Sequence, residues 1–323
     1  DYKDYSFIAP KLLKTNMQSE KQYIDLYTEA QQIIKDHAAP VMNEVRDKAF
    51  DDFRRQGFPS KKVERYKYTD MQKLFEPDYG LNLNRLEIPV DPYETFRCDV
   101  PNLSTSLYFI VNDQFYTKAL PNVKLNDGVV IDSLSRVAKE RPELVKKYYG
   151  KLADTEKDVV TALNTMLAQD GLFIYVPKNV QLDRTVQVIN ILRSDVDLMV
   201  NRRVLIVLEE GAKAQFLFCD HAADDRNFLA TQVIEAFMGD NANLELNCME
   251  ETHAKNVRVS NVYIEQQRNS RASHNVITLH NGVTRNMLDL VFKGEGSECF
   301  CNGCVIADKN QHVDNNTLID HQV

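Results

Sequence analysis

The feature that most restricts the fold is a repeat in residues 171–323. Gly211 is followed at alternate positions by Ala212, Ala214, Phe216 and Phe218. Asn241 is followed by Ala242, Leu244, Leu246 and Cys248, and Asn269 by Ser270, Ala272, His274 and Val276. Gly296 is followed by Ser297, Cys299, Cys301 and Gly303, and a looser copy runs from Asn179 through Val180, Leu182 and Arg184. The turn residues are spaced 32 (211 − 179), 30 (241 − 211), 28 (269 − 241) and 27 (296 − 269).

Glycine and asparagine tolerate positive φ at low cost, so each is a natural corner. The alternation that follows is the signature of a strand with one buried face. A second β-rich run closes each unit: Val204–Leu208, Val233–Phe237, Val259–Ile264 and Leu288–Phe292. Each unit thus holds two strands and two turns. One such unit cannot bury its apolar face alone, whereas stacked units can. The expected fold is mainly β: a right-handed parallel β-helix with two strands per turn of about 30 residues. Small residues just after each corner suit a crowded bend, and Lys213, Gln215, Asn243 and Glu245 are expected to face solvent.

Ahead of the repeat the chain reads as a small α-helical or α+β region. The reading divides it into a tail at 1–17, an N-terminal domain at 18–165 and a β-helix core at 166–323. Asp1–Asp4 matches the start of a common epitope tag, and the tail is assigned no function. Ser19 and Gln22 have capping-box spacing. Tyr23, Leu26, Tyr27, Ala30, Ile33 and Ile34 form a helical stripe. A second helix from about Pro40 carries Met42, Val45, Ala49 and Phe53 inward and stops at Gly57. Residues 57–70 read as a solvated loop anchored by Tyr66 and Tyr68, and residues 77–105 as a connection. Leu107–Val111, Asn112-Asp113 and Phe115-Tyr116 read as a hairpin. Helices are expected over Pro142–Tyr149 and Asp158–Ala168. Thr317–Ile319 occupies the second-strand position of a further unit, which leads the reading to expect native sequence beyond Val323, including a helical C-terminal cap.

Charge narrows the function classes. Lys and Arg total 39 against 47 Asp and Glu, a net charge of −8, and no basic stripe tracks a phosphate backbone, so neither nucleic acid nor an anionic membrane is the expected partner. No apolar run approaches the roughly 20 residues of a membrane-spanning helix. No apolar signal core is visible near Asp1, and six cysteines lack the spacing of a disulfide scaffold. The expected location is the cytoplasm.

Gly57, Pro59, Glu64, Tyr66, Lys67, Tyr68, Thr69 and Asp70 together resemble the N-terminal motif of the SufB/SufD family, roughly G-x-P-x-x-x-x-E-x-[WY]-[RK]-Y-T-D. Three further stretches agree in order: Ala162–Thr165 through Asp170-Gly171 to Val176–Lys178, Arg203–Ala212, and Gln311–Thr317 to His321. The chain resembles SufD more closely than SufB. The resemblance implies a scaffold for iron–sulfur cluster assembly, not an enzyme. It implies pairing through the β-helix with a SufB-like subunit, or with itself when alone. It also implies a SufC-like ATPase bound through a C-terminal helical segment. That segment, and the family's late Cys-x-His pair, have no counterpart in this sequence. No firmly bound cofactor is expected, only a transient iron–sulfur cluster in the complex. The alternative is an enzyme on a β-solenoid, either polysaccharide-active or an acyltransferase.

No catalytic constellation stands out. Cys299, Cys301 and Cys304 are a candidate metal or cluster site, but Cys299 and Cys301 fall where Ala214, Phe216, Leu244 and Leu246 sit in other units, which reads as core. His312 and His321 are further candidate metal ligands, and with Asp314 they are candidate dimer-interface residues. Cys219 is expected to face outward beside Asp220 and His221, and His274, at a core register, to be a hydrogen-bonded core histidine. Asp224-Asp225 resembles the paired acids of sugar-active solenoids, although neighbours on a strand point to opposite faces.

Overall fold

In the computed structural model the described residues are 19–95, 106–118, 120–121, 125–126 and 128–323. The tail at 1–17, Cys98 and part of the 77–105 connection lie outside them. Helices α1 (Ser19–Asp36), α2 (Pro40–Asn43), α3 (Arg46–Gln56), α4 (Met71–Phe75) and α5 (Pro92–Thr95) precede the hairpin of β1 (Ser106–Val111) and β2 (Gln114–Phe115). Then come β3 (Val130–Ser133), α6 (Leu134–Glu140), α7 (Pro142–Lys146) and α8 (Val159–Leu167). The repeat supplies β4 (Leu172–Val176), β5 (Val186–Leu192), β6 (Leu198–Leu208), β7 (Lys213–Ala222) and β8 (Phe228–Met238). It continues through β9 (Asn243–Glu251), β10 (Asn256–Gln266), β11 (Arg271–His280), β12 (Val283–Phe292), β13 (Glu298–Val305) and β14 (His312–His321).

The strands stack into two seven-stranded sheets, ordered β13-β11-β9-β7-β5-β1-β2 and β14-β12-β10-β8-β6-β4-β3. All pairs are parallel except β1–β2 and β3–β4. This is a β-solenoid of about five turns. Both sheets already take up strands between residues 106 and 133, well before residue 166. The corners stand where the alternation places them: Asn179, Gly211, Asn241, Asn269 and Gly296 all have φ between 54° and 73°. The hairpin corner Asn112 joins them at φ 57°.

Inward positions follow the reading. Ala212, Phe216, Phe218, Leu244, Leu246 and Ala272 are buried in one core with Val204, Ile206, Ile234, Val262 and Leu288 from the opposite sheet. A second core lies outside the solenoid. There α1, α3, α4 and α8 cover Met199, Leu229 and Val259, the outward side chains of β6, β8 and β10. Tyr23, Phe53, Phe58 and Phe75 pack edge-on or stacked within it. Helices α2, α6 and α7 cover Phe173, Leu205 and Val207 on the same sheet.

Several local expectations need correction. The second helix is broken at Glu44-Val45 into α2 and α3. Gln22 closes no capping box but donates to the carbonyls of Phe75 and Glu76, tying α1 to α4. Tyr68 is no anchor, being 68% exposed. Cys219 is fully buried although alternation turns it outward, and it stands in register beside Ile189 of β5.

Gly171 makes the closest backbone approach: a Cβ there would overlap the Arg203 carbonyl oxygen. Gly171→Ala is therefore expected to cost about 2 kcal/mol, read as a lowered urea midpoint. An unchanged midpoint would show that the rung spacing relaxes freely.

Candidate functional site at the outermost rung

Strands β13 and β14 form the outermost rung of the described solenoid, and the motif at 57–70 docks against it. The anchor of that motif is a short 3-10 turn at Glu64–Tyr66. Arg65 reaches Asp289 on β12 with contacts of 2.7 and 2.9 Å. Arg285, fully buried on the same strand, lies over the Tyr66 ring at 4.6 Å and donates to the Arg65 carbonyl at 2.6 Å. Its other arm pairs with Asp314 on β14. The Thr69 hydroxyl also donates to Asp314, at 2.5 Å, and stands 3.3 Å from His312 Nε2.

The chain of contacts continues inward. Tyr66 donates to Asp158, the N-cap of α8, whose carboxylate also accepts from Thr161 N at 2.8 Å and from Asn261 at 2.6 Å. Burial, followed by the Asp158 charge, raises the Tyr66 pKa, so the phenol stays a donor. Two family-like motifs far apart in sequence, 57–70 and 311–321, are thus halves of one latch.

The proposed site residues divide accordingly. His312 and Asp314 are brought together on the outer face of β14, with Asp314 committed to Arg285 and Thr69. His321 sits at the other end of the strand, on the opposite face, against the Phe292 ring at 4.7 Å. Nine residues of strand put it roughly 30 Å from His312. Cys299 and Cys301 share a face with their sulfurs 3.4 Å apart. Cys304 lies on the opposite face by strand alternation. Cys299 is half-buried and Cys301 exposed, because β13 has a covering rung on one side only. Burial and the contact with Cys301 push the Cys299 thiol well up. Among the described residues, no three His, Cys, Asp or Glu side chains already stand in ligand geometry. Asp224 and Asp225 diverge: the first accepts from Arg193 and Ser194 N, the second from Lys255.

A polar network inside the solenoid was missed. Arg202 pairs with Asp220, which is 2.9 Å from Arg258 Nε. Arg258 donates to Asn286 at 2.7 Å and lies 4.0 Å from Glu250, which accepts from Thr284 at 2.7 Å. Burial raises the Glu250 carboxyl to about 7 against the pull of Arg258. Burial also works against Asp220, but Arg258 and Arg202 together hold it below the usual range. Burial and Arg258 lower His274 to about 4. The network ends at a cavity of about 150 Å³ lined by Arg258, Ser260, His274, Asn286, Cys248 and Cys301. Reading each alternation two residues further, from Phe218 to Asp220 and from Cys248 to Glu250, would have found it.

Comparison with known proteins agrees with this architecture. Residues 17–188 match the family described as SufBD protein N-terminal region. Residues 190–323 match the SufBD core domain of the SUF system for FeS cluster assembly. The chain belongs to the SufBD family. An iron–sulfur cluster assembly SufBD family protein of Synechocystis is 32% identical over 129 residues, 40% of this chain and 27% of that protein. Iron–sulfur cluster assembly protein SufD of Bacillus subtilis is 30% identical over 159 residues, 45% and 34% of the two chains. A chloroplastic SufBD family protein of Arabidopsis thaliana is 30% identical over 131 residues, 39% and 23%. The matched stretches thus span about a quarter to a third of these relatives. The SufBD motifs at Asn164, Thr165 and Arg203 prove to be architectural: Asn164 donates to the Arg202 carbonyl and to Thr231, and Arg203 donates to Thr165.

Proposed function

We propose that this SufBD chain is a SufD-like scaffold subunit, without enzymatic activity of its own. It pairs through its outermost rung with a SufB-like β-helix, or with a second copy when alone. The observation that carries this reading is the apolar row that the last described rung offers to a further β-strand. Phe300, Val305, Ile306, Leu318 and Ile319 are all more than 40% exposed on β13, β14 and the link between them. Edge strands with unpaired backbone groups and apolar side chains are templates for a further strand. A SufC-like ATPase works with the pair, and an iron–sulfur cluster passes through as cargo without becoming a resident cofactor.

The acidic net charge fits a protein partner better than nucleic acid. Among the described residues no helix is long and apolar enough to cross a membrane, and the five described cysteines form no disulfide with one another. A reducing compartment, the cytoplasm, suits such thiols.

The test is co-expression with the SufB-like and SufC-like proteins of the same source, followed by pull-down and light scattering. A stable hetero-complex is expected. Phe300→Glu with Leu318→Glu should abolish pairing and leave the fold intact, since both side chains are already exposed. A monomer that retains neither partner would overturn the reading.

A further inference from the structure

The register that stacks β11 on β13 sets His274 directly beside Cys301 and Ala272 beside Cys299. Both cysteines and His274 therefore project to the same inner face. The histidine is 5% exposed, yet its Nε2 has no hydrogen-bond partner. The expectation of a fully bonded core histidine fails at this atom. A buried ring nitrogen without a partner has lost its water and gained nothing in return, so a group that ligates it is favoured. His274 and Cys301 line the same cavity of about 150 Å³.

The sulfurs are already close to a chelating separation. Two thiolates on a tetrahedral ion, each at about 2.3 Å, stand about 3.8 Å apart. Cys299 and Cys301 are at 3.4 Å, so a small widening admits an ion between them. Neutral imidazole is the ligating form. Arg258 also lines the cavity, but its charge is met by Asp220 at 2.9 Å and by Glu250 at 4.0 Å. Cys304 points to the other face of β13 and is excluded from the set.

We infer that Cys299, Cys301 and His274 form a binding site for one thiophilic divalent cation of the zinc class, with a fourth position open to water or an incoming ligand. Two thiols and one imidazole are the donor set of an open zinc site, and they fall short of the four thiolates that hold a cluster. His274 must turn its ring toward the sulfurs, and each bound thiol releases its proton as the metal–sulfur bond forms. The inference stands apart from the partner reading, because it concerns this chain alone.

Cobalt(II) is the probe, titrated anaerobically into the purified chain. A thiolate-to-cobalt charge-transfer band and the intense visible bands of a tetrahedral ion are expected, both displaced by zinc. Cys299→Ser and Cys301→Ser should each abolish the charge-transfer band or reduce it by half. His274→Gln should weaken cobalt binding by about tenfold or more and shift the visible bands, and Cys304→Ser should change neither. Where a variant fails to fold, the unaltered chain still decides: zinc should protect Cys299 and Cys301, but not Cys304, from alkylation mapped by mass spectrometry. The site is overturned if no band forms. It is equally overturned if Cys304→Ser abolishes the band, if His274→Gln leaves affinity and spectrum unchanged, or if zinc protects none of the three thiols.

Discussion

Replacing Glu235 with alanine is expected to destabilise the protein by about 3–5 kcal/mol, the cost of stranding a buried charge. Glu235 and Arg203 are both fully buried and pair at 2.6 Å. The same carboxylate accepts from the backbone N–H groups of Gly150, Leu152 and Ala153 at 2.9–3.1 Å. It therefore fixes the turn after α7 onto the outer face of β8. Arg203 is further held under the Tyr149 ring at 4.7 Å and against Thr165 at 2.9 Å. Removal of Glu235 leaves a guanidinium buried and three donors unsatisfied. Thermal unfolding of Glu235→Ala should show a much lower midpoint, and Glu235→Ala combined with Arg203→Met should recover part of the loss. If the double variant is no more stable than the single one, the penalty is not the stranded charge.

Glu250→Gln should remove the pH dependence that the buried carboxyl imposes. The folded pKa of about 7 lies above the ordinary value of 4.5. Between those values the unfolded chain releases the proton while the folded one keeps it, so stability is lost as pH rises. The full difference is on the order of 3 kcal/mol. His274 acts in the opposite direction. Its folded pKa of about 4 lies below the ordinary 6.5, so its contribution is lost as pH falls through that window. The wild-type profile is therefore flattened by two opposed slopes, and only the variants separate them. Relative to wild type, Glu250→Gln should gain stability from pH 5 to about pH 7 and level off by pH 8 in urea unfolding. A constant difference across that range would refute the raised carboxyl.

The solenoid was legible because its physics is local and periodic. Gly211, Asn241, Asn269 and Gly296 mark corners by φ alone. The positions after them alternate because a strand has two faces. The run Ala212 to Phe218 could be assigned inward without any knowledge of its neighbours. The short β3 and α6 were missed, since four residues of strand and two turns of helix carry too little periodicity to register.

By itself, the sequence determined the repeat, its corners, its inward face and, through four ordered motifs, the SufBD family. The tertiary structure alone decided what those motifs do. Thr69 meets Asp314 across 245 positions of sequence, and Arg65 meets Asp289 across 224, pairings that no local pattern encodes. The same holds for Cys299, Cys301 and His274. Their common face follows from alternation, but which histidine stands beside which thiol depends on the register between successive rungs. That register is set by the number of residues in each turn, summed around the coil.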